Sequence, residues 1–178
     1  MKITETPLRG AYLVELEPHS DERGFFARAY SASEFRDHGL LGDLTEVSIS
    51  RNLKAGTLRG MHFQKSPHEE TKLVRVVRGR AFDVIVDIRQ NSRTFRQWYS
   101  QELSAENGQA LYVPGGFAHG FLTREDQTDV LYQITDTFHS TSGTGLAWDD
   151  PVIAIQWPQV PEIISKADQA RPRINELI

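Results

Sequence analysis

Residues 72–88 read KLVRVVRGRAFDVIVDI, and this stretch decides the fold class. Two runs rich in β-branched residues, Lys72–Val77 and Ala81–Ile88, are separated by Gly79, which predicts a tight hairpin turn between paired strands. Short strands of this kind, bounded by turn residues, predict an all-β sandwich or barrel and not alternating βαβ units. Four further segments have the same character: Ala11–Glu17, Gln97–Leu103, Gln109–Val113 and Thr128–Thr135.

Helix signals are few in this sequence. Ser33–His38, which follows Ser31, and Ile163–Gln169 predict two short helices. Pro114-Gly115-Gly116 interrupts an apolar stretch and predicts a tight loop. The chain has 178 residues without a visible linker, repeat or low-complexity tract, so we expect one domain over residues 1–178.

The composition excludes several classes of protein. Hydrophobic residues make up 39% and charged residues 25%, as in globular proteins. The net charge is −4 and the basic residues are scattered, so we expect no nucleic-acid partner. The absence of cysteine excludes disulfides and thiolate metal sites. The start lacks the apolar core of a signal peptide, and no apolar run approaches the roughly 20 residues of a membrane span. We therefore expect a cytoplasmic protein without a membrane partner.

The run Ala81–Ile88 has an unusual alternation. Because side chains on a strand alternate between its two faces, Asp83 and Asp87 fall on one face and Phe82 and Val84 on the other. Carboxylates on such an apolar strand occur at an exposed edge, or they line a wet cavity inside a barrel. Both interpretations stay open at this point.

Two of the six histidines lie in segments that suggest a site. His62 belongs to the predicted strand Leu58–Gln64, in which alternation would put Leu58 on the same face as His62. His119 follows the glycine turn at Pro114-Gly115-Gly116. A histidine in such a place is either a hydrogen-bonded core residue or a catalytic group, and both remain open. The other four lie in polar, turn-like segments and are expected at the surface: His19, His38, His68 and His139.

The pattern Pro114-x-Gly116-x-x-His119 resembles the second sequence motif of the cupin superfamily. The first cupin motif normally supplies two histidines one residue apart as metal ligands, but the corresponding place here reads His62-Phe63-Gln64. A metal site built from three histidines, or from two histidines and one carboxylate, is therefore incomplete in this chain. This resemblance implies a cupin-like jelly-roll barrel, a double-stranded β-helix, that uses no metal and no other cofactor.

Eight short motifs follow one another along the chain: DERGFF (21–26), LRGMHFQ (58–64), KLVRVVRG (72–79), FDVIVDIR (82–89), LSAEN (103–107), PGGFAHGF (114–121), WDDP (148–151) and SKAD (165–168). Taken together and in this order, they resemble the dTDP-4-dehydrorhamnose 3,5-epimerase family over nearly the whole chain. The resemblance implies an all-β double-stranded β-helix with a few short helices, assembled as a homodimer. It also implies a place in dTDP-rhamnose and carbohydrate biosynthesis, including that of O-antigen.

The chemistry that the resemblance implies is proton transfer at C3 and C5 of a nucleotide-linked 4-keto-6-deoxy hexose. A base removes a carbon-bound proton beside the ketone, the enolate is stabilised, and an acid returns a proton to the opposite face. The resemblance assigns His62 as the base with Asp168 as its partner. It places Lys72 near the C4 oxygen and makes Tyr132 the acid.

The same resemblance implies a set of residues that bind the nucleotide sugar. His119 and Asp83 match polar residues of the pocket, and Arg23 and Arg59 match positions near the diphosphate, for which guanidinium groups are well suited. The remaining candidates for substrate binding are Phe26, Glu46 and Phe138.

The chain departs from the family pattern on the nucleotide side of the site. Thr137 and Phe138 stand where relatives have two tyrosines, and Arg28 stands where they have a glutamate. A Gln-Asp-Asn run is replaced by residues 46–48, Glu-Val-Ser. These departures exchange hydrogen-bond donors and acceptors, so they predict altered selectivity for the nucleobase of the substrate.

Three other functions remain as alternatives. The first is an epimerase that acts at C3 alone or on a different nucleotide sugar. The second is a non-catalytic sugar-binding cupin, and the third is a metal-dependent cupin. The joint presence of His62, Lys72, Tyr132 and Asp168 favours an enzyme over a binding protein.

Overall fold

Residues 1–177, which the computed structural model describes, form fourteen strands and three short helices. No helix in this range is long and apolar enough to cross a membrane. The strands are β1 (Lys2–Glu5), β2 (Tyr12–Glu15), β3 (His19–Asp21), β4 (Gly24–Phe26), β5 (Glu46–Asn52), β6 (Thr57–Gln64), β7 (Lys72–Arg78), β8 (Arg80–Asp87), β9 (Trp98–Ser104), β10 (Ala110–Val113), β11 (Phe117–Thr123), β12 (Thr128–Ile134), β13 (Gly143–Gly145) and β14 (Ile163–Ile164). The helices are α1 (Ala32–Asp37), α2 (Lys166–Gln169) and α3 (Ile174–Leu177).

Two sheets of six strands each form the barrel. The order in the first sheet is β1-β2-β10-β7-β12-β5, and in the second it is β13-β6-β11-β8-β9, with β14 added parallel to β6. Apart from β14, every pairing within the two sheets is antiparallel. Neighbours within a sheet are mostly distant in sequence, as in a double-stranded β-helix. The predicted all-β, cupin-like class is therefore confirmed.

The main hydrophobic core lies between the two sheets. Its members come from strands of both sheets and are at most 3% exposed. Removing this apolar surface from water is the dominant stabilising contribution, at roughly 25 cal/mol per Å² buried. The core side chains on the strands are Val74, Val76, Leu111, Val113 and Val130 from the first sheet, and Ala81, Ile85, Leu103, Phe117 and Phe121 from the second.

Most of the predicted elements are present in the structure. All six predicted strands form, and Gly79 makes the turn between β7 and β8 with a φ of +72°. Helix α1 begins after Ser31, whose hydroxyl accepts a hydrogen bond from the Glu34 N–H. The prediction of a helix over Ile163–Gln169 is wrong for its first part. Ile163 and Ile164 pair with β6 instead, and the helix begins only after Ser165.

A β-bulge in β6 sets which residues of that strand face the barrel interior. His62 pairs with His119, whereas Arg59 pairs with Phe121, so two residues of β6 oppose the single residue Gly120. A Cβ added to Gly60 would lie 2.7 Å from the Gly120 Cα, so this close approach excludes any side chain at position 60. Because the bulge interrupts the alternation, Arg59 and His62 both reach the interior cavity. Leu58 therefore does not share a face with His62, contrary to strict alternation.

Strands β3 and β4 form a separate two-stranded arm. They pair only with each other in the described part of the chain. Phe25 and Phe26 on this arm are 64% and 77% exposed. Two adjacent exposed phenylalanines are unusual on the surface of a monomer.

Candidate active site

A cavity of about 450 Å³ lies between the two sheets at one end of the barrel. Its volume is in the range typical of small-molecule sites. Most of its polar lining comes from strands β5, β6, β7, β11 and β12. The lining residues are Glu46, Ser48, Arg59, His62, Phe63, Gln64, Glu70, Lys72, His119, Tyr132, Ile134, Phe138, Gly143, Thr144 and Arg171.

The polar side chains of the cavity come from two facing walls. Arg59, His62 and His119 belong to β6 and β11 of one sheet, whereas Lys72 and Tyr132 belong to β7 and β12 of the other. The rings of His119 and Tyr132 meet edge-on across the gap, with centroids 5.9 Å apart. His62 and Tyr132 therefore line the cavity from opposite sheets.

His62 forms a dyad with Asp168. Its Nε2 donates a hydrogen bond to Asp168 Oδ1 over 2.7 Å, which leaves Nδ1 as the nitrogen that can accept a proton. Burial raises the pKa of the Asp168 carboxyl, but hydrogen bonds from His62, Ser165 and the Gly60 N–H outweigh it and bring the pKa below its usual value. Asp168 therefore stays ionised and stabilises a positive charge on His62.

Helix α2 gives Asp168 its position. The Ser165 hydroxyl accepts a hydrogen bond from the Asp168 N–H at 3.0 Å, which caps the first turn. The short helix packs against β6, the strand that carries His62. The Ser-x-x-Asp pattern signals the cap in the sequence, but nothing in the local sequence shows that the carboxylate meets a histidine 106 residues away.

Arg171 was missed by the reasoning from sequence. It lines the cavity, and its Nε lies 3.7 Å from Asp168 Oδ1, buried and without a hydrogen-bond partner in residues 1–177. It follows Asp168 by three residues, a spacing that puts two side chains on the same side of a helical turn. This spacing was the available signal.

Lys72 lies at the start of β7 and is only 7% exposed. Its Nζ is 2.7 Å from Glu70 Oε1, and both side chains line the cavity. Glu70 was also missed by the reasoning from sequence. A buried ammonium needs a nearby anion, and the Glu70 carboxylate fixes the Lys72 side chain at the cavity wall.

Tyr132 keeps its proton in this environment. Burial raises the pKa of its hydroxyl far above the usual range, the neighbouring Asp83 raises it further, and Arg59 opposes the shift. The phenol is therefore neutral throughout the physiological pH range and has a proton to donate.

Asp83 lies behind His119 and does not line the cavity. Its carboxylate is fully buried and accepts hydrogen bonds from His119 Nε2 at 2.9 and 3.0 Å. Burial raises the pKa of the Asp83 carboxyl, and the contact with His119 opposes this. Of the two interpretations of the acidic face of β8, the exposed edge is wrong, because Asp83 is fully buried. Asp83 does not line the cavity itself, but it contacts the cavity residue His119.

Arg23 and Phe26 lie on the exposed arm, away from the cavity of their own chain. The Arg23 side chain is 85% exposed and pairs with Asp21, 2.5 Å away. In the part of the chain that the structure describes, neither Arg23 nor Phe26 lines the cavity, whereas the other two nucleotide-side candidates, Glu46 and Phe138, do.

Gln64 stands where metal-binding cupins have a histidine ligand, and here its side chain makes structural hydrogen bonds. Its Nε2 donates hydrogen bonds to the carbonyls of His68 and Thr137, and its Oε1 accepts one from the His139 N–H at 2.6 Å. The amide is therefore fully engaged with backbone groups. The donor set around His62 does not fit a cupin metal ion.

Comparisons with known proteins agree with this geometry. Residues 5–176 match the family model described as dTDP-4-dehydrorhamnose 3,5-epimerase. A protein of that name from Escherichia coli strain K12 is 40% identical over 182 aligned residues, which cover 100% of this chain and 97% of the relative.

Solved structures are similar over almost the whole chain. The dTDP-4-dehydrorhamnose 3,5-epimerase from Elizabethkingia anophelis has a TM-score of 0.95 and 38% identity, covering 99% of this chain and 97% of its own. A 3'-monoepimerase from Streptomyces bikiniensis, solved with dTDP-quinovose, has a TM-score of 0.90 and 28% identity, covering 97% and 87% of the two chains.

Proposed function

The chain belongs to the dTDP-4-dehydrorhamnose 3,5-epimerase family, and on this premise we propose the reaction and the residue roles that follow. The protein is an isomerase. It inverts carbons beside the ketone of a dTDP-linked 4-keto-6-deoxy hexose, by removing a proton from one face and returning one to the other.

The observation that supports these roles most strongly is the position of a base and an acid on facing walls of one cavity. His62 Nδ1 takes the carbon-bound proton, while Asp168 holds Nε2–H and stabilises the cation that forms. Tyr132 on the opposite wall is protonated and donates to the other face. Abstraction and delivery from opposite sides invert the carbon.

Between these two steps the substrate is an enolate, whose negative charge is on the C4 oxygen. Lys72 is the group that stabilises it, because an ammonium in a partly dry cavity interacts strongly with a developing oxyanion. The salt bridge with Glu70 holds Lys72 in place before the substrate binds. His119, oriented by Asp83, adds a second polar contact on the facing wall.

The diphosphate requires cations at the open end of the cavity. Arg59 lines the cavity and is held by a 2.8 Å hydrogen bond from its Nε to Asn52 Oδ1, so its terminal nitrogens are free to bind phosphate oxygens. Glu46, on β5 of the facing sheet, and Phe138, on the loop between β12 and β13, also line the cavity, and we assign both to the nucleotide side.

Arg23 and Phe26 reach a cavity only if a second chain is present. We propose a homodimer in which the arm formed by β3 and β4 covers the cavity of the partner. The exposed phenylalanines of the arm support this, as does the unpaired edge strand β5, on which Val47 and Ile49 are 63% and 64% exposed.

Subunit complementation tests the dimer. Arg23→Ala and His62→Ala chains are prepared separately, each nearly inactive, and are then mixed after mild dissociation. A mixed dimer contains one cavity with an intact His62 and an intact Arg23 from the other chain, so activity returns. Mixtures that stay as inactive as the separate variants contradict an arm that acts on the partner.

The reaction itself is tested by NMR of dTDP-4-keto-6-deoxyglucose in heavy water. Deuterium at both C3 and C5, with inverted product, is the expected result. The second candidate, an epimerase specific for C3, has support from the similarity to the 3'-monoepimerase and predicts deuterium at C3 alone. Deuterium at neither position contradicts both. The single-domain organisation, the cytoplasmic location and a role in O-antigen synthesis stay predictions.

A further inference from the structure

Three side chains outside the catalytic set converge beside the cavity. His68 lies on the loop between β6 and β7, and Asp136 and His139 lie on the loop between β12 and β13. His68 Nδ1 is 3.5 Å from one Asp136 carboxylate oxygen and His139 Nε2 is 3.8 Å from the other. We propose that these three residues bind one divalent transition-metal ion per chain, at a site that is separate from the epimerase chemistry.

The distances between the ligand atoms fit such an ion. One nitrogen from each histidine and a carboxylate oxygen all lie within 4.8 Å of one another. In a tetrahedral zinc site with bonds of about 2.1 Å, neighbouring ligand atoms are about 3.4 Å apart. The separations of 3.5 and 3.8 Å between the histidine nitrogens and the Asp136 oxygens are close to that length. Because these two distances are to different oxygens of Asp136, rotation of the two imidazole rings is needed to bring all three ligands to one ion.

A buried amide holds the two loops together. Gln64 is 3% exposed, and its side chain bonds the backbone of both histidines, through the carbonyl of His68 and the N–H of His139. The Thr137 N–H donates to Asp136 Oδ1 over 2.8 Å, which restricts the carboxylate. A site whose ligands are fixed before binding loses less entropy when the ion arrives.

The ligand types select the class of ion. Two imidazoles and one carboxylate favour zinc, nickel, cobalt or copper over magnesium or calcium, which prefer oxygen. With neutral histidines the cluster has a charge of −1, which favours a dication. Each of the three side chains is about one-third exposed, at 35 to 36%, so an ion and its remaining water ligands have access.

Two present contacts would change when an ion binds. The imidazole rings of His68 and His139 stack with centroids 3.5 Å apart, and the Thr137 hydroxyl lies 3.2 Å from His139 Nε2. The rings must splay to direct their nitrogens at one ion, and the threonine hydrogen bond is given up. Both contacts are partly exposed, and both are weaker than metal–imidazole bonds.

The site adjoins the rim of the active-site cavity without entering it. Phe138, between Asp136 and His139 in sequence, lines the cavity, but His68, Asp136 and His139 do not. The ion would join the two loops that carry the rim, whereas His62 and Tyr132 remain free of it. The site is therefore distinct from the ligand set of metal-dependent cupins.

Calorimetric titration of the purified, chelator-treated protein with zinc chloride and with nickel chloride tests the proposal. We expect one ion per chain for the wild type, and at least a tenfold weaker affinity in His68→Ala and in His139→Ala. His38→Ala is the matched control, because His38 is an exposed histidine at the end of α1, outside the two loops, and it should bind as the wild type does.

A second readout separates loss of binding from loss of folding. Zinc should raise the melting temperature of the wild type and of His38→Ala, and leave that of His139→Ala unchanged, although all three fold without metal. No saturable binding by the wild type up to millimolar metal overturns the proposal. Equal binding by the wild type and both loop variants overturns it as well, since it would place the ion elsewhere.

Discussion

The contact between His62 and Asp168 provides the sharpest quantitative prediction. Asp168→Asn replaces a carboxylate that accepts from His62 Nε2 at 2.7 Å with a neutral amide of the same size. A hydrogen bond to a charged group contributes about 1.5–3 kcal/mol. At 1.36 kcal/mol per factor of ten, its loss in the transition state lowers kcat/KM by about 10- to 150-fold.

A second effect acts in the same direction. The amide can present its N–H₂ to Nε2, which favours the tautomer with a proton on Nδ1, and that nitrogen then cannot act as the base. The fall should therefore be mainly in kcat, with a smaller change in KM, because the dyad acts on the proton-transfer step and not on the nucleotide.

The assay measures kcat and KM for conversion of the 4-keto sugar nucleotide, together with deuterium uptake from heavy water. Asp149→Asn is the matched control, since it makes the same change at a half-exposed carboxylate paired with Arg173, and it should retain wild-type rates. A folded Asp168→Asn enzyme with kcat within twofold of the wild type would refute the role of the dyad.

Three further predictions concern stability, metal dependence and selectivity. Asp87 is fully buried, and although burial alone raises its pKa, hydrogen bonds from Arg89, Ser92 and Thr94 bring that pKa below the usual value. Asp87→Asn should lower the free energy of unfolding by about 1.5–3 kcal/mol at neutral pH. Because the folded-state pKa is lowered, this difference is present above about pH 4 and shrinks as the pH falls through the folded pKa, as urea titrations would show; a constant difference would contradict it. EDTA should leave the turnover of the wild type unchanged, and activity that is lost and then restored by metal would disprove acid–base catalysis without metal. The departures from the family sequence on the nucleotide side of the site predict that the enzyme discriminates less strongly between nucleobases. Comparing kcat/KM for thymidine, uridine, cytidine and guanosine diphosphate sugars checks this, and a thymidine preference of a hundredfold or more, about 2.7 kcal/mol, would contradict it.

The sequence predicted the fold class because local patterns and tertiary structure agree there. The runs around Gly79 have the alternation and the turn that a hairpin requires. The helix predicted over Ile163–Gln169 is wrong at its first two residues, because their pairing with β6 is a long-range contact that overrides a local pattern. The bulge at Gly60 was likewise invisible, since it depends on Gly120 in the paired strand.

The candidate site was predicted in part from the sequence. The resemblance to the family named seven residues that line the cavity, along with Asp168 behind His62. Arg171 and Glu70 were missed because they contact Asp168 and Lys72 only through the folded geometry. Arg23 and Phe26 lie outside the cavity of their own chain. In the proposed homodimer, the surface that they contact belongs to the partner.

In the proposed mechanism, His62 and Tyr132 act on opposite faces of the same carbon. This mechanism is tested most directly by following deuterium uptake and stereochemistry together, by NMR in heavy water, for the wild type, His62→Ala and Tyr132→Phe. We expect uptake with inversion in the wild type, and neither in His62→Ala. In Tyr132→Phe we expect uptake with retention, because the proton is removed but nothing returns one from the far wall. An unchanged yield of inverted sugar from Tyr132→Phe would contradict the account.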